Sequence, residues 1–114
     1  MLKPNEVPYE GKGVKTAWVW RAPDGSTADA FIRWPAGVFE GGKPETTSTH
    51  PFGVRITVLE GTVLFEFEGG PPKELKAGSY IVAPAGSKHY LGCKRGGREC
   101  LMFAVFAPDP TPRQ

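Results

Sequence analysis

The chain carries two histidines, His50 and His89, and two cysteines, Cys93 and Cys100, so its ligating and nucleophilic groups can be followed one by one. His89 closes a run in which Gly78 is followed by five residues, Pro84, one residue, Gly86, two residues and then the histidine. His50 stands in a second run: Gly42, five residues, Ser48-Thr49-His50, three residues, Val54, six residues, Gly61. Imidazoles ligate transition metals or satisfy buried hydrogen bonds, and both chemistries are open here. Nucleophilic catalysis finds no support. No Ser, His and Asp set is recognisable, no Gly-rich phosphate loop leads into a helix, and no pair of carboxylates stands out. If Gly96-Gly97 forms a two-residue turn, Cys93 and Cys100 become a hydrogen-bonded cross-strand pair with Cα atoms about 5.5 Å apart. A disulfide is geometrically possible there, but two buried thiols are the expected state in a reducing cytosol. Cys93 lies four residues along the strand from His89, about 13 Å at ~3.3 Å per residue, too far to share an ion.

These groups need a scaffold, and 114 residues suffice for one domain with a buried core. Fifteen glycines and twelve prolines interrupt the chain so often that the longest stretch free of both is ten residues, Arg98 to Ala107. Inside a helix each Gly costs about 1 kcal/mol and each Pro about 3. A helical bundle is therefore excluded, and roughly eight short strands are expected, as a sandwich, jelly roll or barrel. Strands are predicted at Thr16 to Arg21, Ala28 to Trp34, Val54 to Leu59, Thr62 to Glu68, Ser79 to Ala83, His89 to Lys94 and Glu99 to Ala107.

The first two join around Pro23-Asp24-Gly25-Ser26, a turn signature. Hairpins are predicted about Glu60-Gly61 and Gly96-Gly97, the latter supported by a Lys94–Glu99 ion pair on its other face. Period two places Ala28, Ala30, Ile32 and Trp34 on one face, with Asp29, Phe31 and Arg33 on the other. Leu101 to Ala107 is apolar on both faces, as a central strand or a subunit interface would be. Trp18, Trp20 and Trp34 are expected in the core or an interface rather than around a ligand. Arg55 points away from the interior if Val54 points in.

The charges, 14 Lys plus Arg against 12 Asp plus Glu, are scattered and exclude a nucleic-acid stripe. No apolar run approaches the ~20 residues of a membrane span, and the N-terminus lacks a secretory apolar region, so the cytoplasm is expected.

The two histidine runs resemble the paired motifs of the cupin superfamily, and the likeness extends over about Ala30 to Phe106. Trp34-Pro-Ala-Gly, Val58-Leu-Glu-Gly-Thr and Cys100-Leu-Met-Phe look like small single-domain cupins similar to the cupin half of anti-sigma factors. The resemblance implies an all-β, double-stranded β-helix (a jelly-roll barrel) over residues 14–107. An N-terminal arm at 1–13, which wraps a partner subunit or frays, and an extended Pro-rich tail at 108–114 flank it. It also implies a homodimer, built on a strand such as Leu101 to Ala107. Inside the barrel it implies a divalent transition metal (zinc, iron, manganese or nickel) or a small molecule, with no organic cofactor.

Matched residue by residue, His50 and His89 take two ligand positions, while Ser48 stands where a further histidine belongs and Val54 where a glutamate belongs. Glu45 or Glu40 on the long loop is left to supply the missing charge, with Ser48 or water filling in. A barrel binding metal or small ligand is the leading expectation. A metal-dependent enzyme such as a dioxygenase, and a metal-free isomerase or binding protein, are the alternatives.

Overall fold

The computed structural model describes residues 3–40, 49–68 and 70–107, and among them the regular structure is all strand. The strands are β1 (Lys15–Arg21), β2 (Ala28–Trp34), β3 (Gly53–Glu60), β4 (Val63–Phe67), β5 (Lys73–Leu75), β6 (Tyr80–Ala83), β7 (His89–Cys93) and β8 (Cys100–Ala107). A five-stranded sheet runs β1-β2-β8-β3-β6 and a three-stranded sheet runs β5-β4-β7. All pairings are antiparallel. This is the jelly-roll arrangement of a cupin. β5 is the strand the sequence did not announce, because Lys73-Glu74-Leu75 carries no alternating apolar pattern.

Two expected hairpins are corrected. β3 and β4 lie in different sheets, as do β7 and β8. Each apolar face explains why. Val54, Ile56 and Val58 of β3 and Val63 and Phe65 of β4 are all buried in one cluster, and crossing between sheets turns these two faces toward each other. Paired in one sheet they would lie side by side and cover nothing. The β3–β4 crossing turns at Gly61, whose φ of 83° suits glycine. A Cβ there would also stand 2.6 Å from the Glu99 carbonyl oxygen. The two crossings touch, with Lys94 N donating to Thr62 O at 2.9 Å.

The β1–β2 pair forms around its turn as expected. β8 is central, paired along its length with β2 and β3, so its backbone edges are already taken within the chain. A smaller apolar cluster covers the outer face of the large sheet. Phe31 and Leu101 are buried there, with Val7 and Tyr9 of the N-terminal segment packed against them. Tyr9 donates to Pro4 O at 2.6 Å, and the Arg33 guanidinium sits 4.7 Å from the Tyr9 ring centre. The described part of the arm thus lies on its own sheet. Of the three tryptophans, Trp34 is in the core, whereas Trp18 and Trp20 are 39% and 51% exposed.

The cysteines are bonded to each other, which corrects the expectation of two thiols. Because β7 and β8 belong to different sheets, the Cys93–Cys100 bridge ties one sheet to the other, with Cα atoms 5.7 Å apart. That separation lies inside the range a disulfide spans. The Lys94–Glu99 pair is also corrected. Lys94 reaches Glu74 on β5 at 2.8 Å, and Glu99 meets Arg33 on β2 at 3.4 Å. No helix among the described residues is long and apolar enough to cross a membrane.

Candidate metal centre

His89 begins β7, opposite Phe67 of β4, and is buried at 4% exposure. The turn before it fixes both histidines. Gly86 N donates to the His50 carbonyl at 2.9 Å, so the backbone ahead of β3 is pinned to the loop that delivers His89. His50 stacks on Phe52 at 5.0 Å and 10°, and His89 lies against Phe65 at 5.7 Å and 29°. The two imidazole centres stand 5.4 Å apart.

The third member is Glu40. Residues 37–40 run alongside β7: Gly37 N donates to Cys93 O, Cys93 N to Val38 O, and Glu40 N to Leu91 O at 2.8 Å. This docking sets Glu40 beside His89, two residues before Leu91 on β7. Its Oε2 is 3.1 Å from His50 Nε2 and its Oε1 is 3.1 Å from His89 Nε2. One ligand atom from each of the three residues fits within a mutual separation of 4.8 Å. His89 Nδ1 lies 3.2 Å from Ser87 O; the Nδ1–H tautomer donates there and turns the Nε2 lone pair toward Glu40, whereas a ring protonated at Nε2 donates to the carboxylate. Glu40 Oε1 is buried and has no aligned hydrogen-bond donor among the described residues. Burial pushes the Glu40 carboxyl up, but the His89 contact and the charges that His50 and His89 carry when protonated pull it further down. The group sits below the ordinary carboxylate range and is ionised.

The docking depends on a small residue. Phe39 bridges to Gly92, and a Cβ at Gly92 would overlap the Phe39 ring. Gly92→Ala must therefore displace Phe39, which is 9% exposed, and Glu40 behind it. We expect the substitution to cost about 1–3 kcal/mol, read as a lower urea midpoint. An unchanged midpoint would show that Phe39 moves freely.

Behind the cluster lies a cavity of about 140 Å³. Its walls are largely apolar, including Ile32, Ile56, Leu91, Met102 and Phe106, with Glu40, His50 and His89 among the lining residues. Val54, at the position where the resemblance would put a glutamate, is one of these apolar wall residues.

Of the residues singled out in the sequence, His50 and His89 come together, whereas Glu45 and Ser48 lie outside the described residues. Glu40, one of the two loop carboxylates considered, is the one that meets the histidines. Its local sequence, Gly37-Val38-Phe39-Glu40, holds no sign of that role, because the pairing with β7 is long-range.

An all-β two-sheet barrel enclosing a two-histidine, one-carboxylate cluster defines the class of protein. The family model described as Cupin domain matches residues 32–106, and the chain belongs to that family. Among solved structures, KdgF from Halomonas sp. aligns with a TM-score of 0.73 at 20% identity, over 91% of this chain and 90% of that one. The cupin domain of Schizosaccharomyces pombe Cnp3 aligns with a TM-score of 0.76 at 15% identity, over 94% and 72%. Ectoine synthase from P. lautus gives 0.68 at 20% identity, over 87% and 67%. Likeness at these identities speaks for the fold alone. No curated protein sequence matches the chain.

Proposed function

We propose that this protein is a metal-binding cupin that takes a small ligand into its barrel, with Glu40, His50 and His89 holding one divalent transition metal ion. The observation that carries this is the convergence of three ligand atoms within 4.8 Å, one of them on a carboxylate whose Oε1 is buried without an aligned donor among the described residues. Acceptors that face one another need a cation between them, or protons on both rings. Three protein ligands leave coordination positions free, and a bound ion there would supply Lewis acidity toward a ligand oxygen. The chain's own part is to orient the imidazoles through Ser87 O and Phe52 and to keep water out with apolar walls.

Elemental analysis of untagged protein tests the reading. One equivalent of zinc, iron, manganese or nickel is expected, falling below about a tenth in His50→Ala and in His89→Ala, since each removes a ligand. Wild-type protein that is metal-free and refuses all four ions would overturn it. A second reading, a metal-dependent oxygenase, is favoured by the donor set itself, because two histidines with one carboxylate are the set that non-haem iron(II) oxygenases use. Oxygen uptake by Fe(II)-loaded protein, screened against small carbonyl and hydroxy compounds, separates turnover from binding.

A further inference from the structure

A bulge in β1 decides which of its side chains reach the mouth of the barrel. Trp18 pairs with Ala30, Trp20 with Asp29 and Arg21 with Ala28, so Val19 is the extra residue. Cross-strand partners share a face of the sheet. Trp18 therefore stands in one row with Ala30, Ala104 and Ile56, and Arg21 in a second with Ala28, Phe106 and Val54. Ala104, Ile56, Phe106 and Val54 line the cavity behind the metal cluster, so Trp18 and Arg21 carry that same face outward to the edge strand. Strict alternation would instead pair Trp18 with Trp20 and send Arg21 to the other side. Bulges at barrel rims re-aim side chains in this way. The Arg21 guanidinium carbon lies 4.5 Å from the Trp18 ring centre, in keeping with the register.

Both residues line a groove of about 310 Å³ that shares Phe52 and Phe106 with the inner cavity. Its floor is aromatic. The Trp18 and Phe106 ring centres are 5.8 Å apart at 54°, and Phe106 meets Phe52 edge-on at 5.6 Å. Arg21 is the charged residue of the lining, and among the described residues it makes no ion pair. Asp24, on the adjoining turn, accepts from Ser26 N at 2.9 Å and Ser26 Oγ at 2.6 Å and is not part of the lining. An apolar floor with one placed polar group is the usual make-up of a small-molecule site. A guanidinium held over an aromatic ring still offers its N–H fork to a carboxylate.

We propose that this groove binds an aromatic carboxylate, with Arg21 taking the carboxylate and Trp18, Phe52 and Phe106 packing on the ring. The site goes beyond the metal-binding reading and needs no metal.

The probes are 2-naphthoate, its neutral isostere 2-naphthamide, and acetate, which has the charge without the ring. Each is titrated into ¹⁵N-indole-labelled protein as purified and again after chelation, which removes any carboxylate–metal contact from the comparison. Naphthoate is expected to bind about fivefold tighter than naphthamide, a modest ratio because water and salt screen an exposed pair. Acetate should bind more weakly than either. The Trp18 signal should move with naphthoate while that of Trp20, on the opposite face, stays; each is identified by its loss in Trp18→Phe or Trp20→Phe. Arg21→Gln should bring naphthoate down to the affinity of naphthamide, and Trp18→Ala should weaken both about fivefold. Equal wild-type affinities for naphthoate and naphthamide, a preference that survives Arg21→Gln, or an unmoved Trp18 signal would each overturn the proposal. A Trp18 signal that shifts with protein concentration alone would assign the groove to a second copy of the chain, and would overturn it too. The wild-type titrations decide even if a variant fails to fold. Failure here leaves the metal reading standing, and a protein that refuses metal leaves this inference standing.

Discussion

Glu40→Gln protein is expected to keep its sheet circular dichroism and to lose divalent metal, with affinity falling about 100-fold or more. Groups that merely orient a ligand are worth about 10–100-fold, and a ligand itself is worth at least that. The argument rests on charge and not on shape. Glutamine fills the same space and reaches the same two imidazoles, but it exchanges a carboxylate oxygen for an NH₂ group. That NH₂ can donate to an imidazole lone pair, so the metal-free barrel keeps a partner for its ring nitrogens. A cation loses its only anionic ligand within the described cluster of Glu40, His50 and His89. Isothermal titration with zinc or nickel reads the difference, and chelator-treated wild type supplies the metal-free reference. Glu45→Gln, made beside it, separates the two loop carboxylates that the sequence leaves open. Affinity kept in Glu40→Gln and lost in Glu45→Gln would reassign the third ligand.

The second large effect concerns the far end of the barrel. Cys93→Ala/Cys100→Ala is expected to lose about 2–4 kcal/mol of stability. Closing a loop with a sequence separation of seven residues contributes about 2.5 kcal/mol through the unfolded chain's entropy. The remainder comes from the space two fully buried sulfurs vacate. For a domain of this size such a loss lowers the melting temperature by roughly 8–20 °C. Metal uptake should be unaffected, because the bridge lies about 13 Å of strand from His89. Urea denaturation and thiol titration of the unfolded, unreduced protein check the claim together. Two reactive thiols, and a double variant as stable as the wild type, would show that the bridge contributes nothing.

Much of the architecture was legible in the residues themselves. The spacing of glycine and proline excludes helices because no stretch is long enough to repay helix nucleation. Period-two alternation assigned the faces of β2 correctly, with Ile32 and Trp34 turned to the cavity and Phe31 to the outer sheet surface. The two histidine runs led to the cupin family. Each of these signals is local, written in residues close enough along the chain to constrain one another.

What only the tertiary structure decided is which distant segments meet. Adjacent strands joined by a short turn look like hairpins in sequence, yet β3 and β4, and β7 and β8, part into opposite sheets because each has an apolar face that must be covered. That parting turns a cross-strand cysteine pair into a bridge between sheets, and it sends Lys94 to Glu74 instead of Glu99. Glu40 reaches the histidines because residues 37–40 dock along β7, and Trp34 is buried because β2 turns it inward. The types of group available to the site are thus set along the chain. Their convergence is set by the burial of two sheets against each other, which no single window of sequence contains.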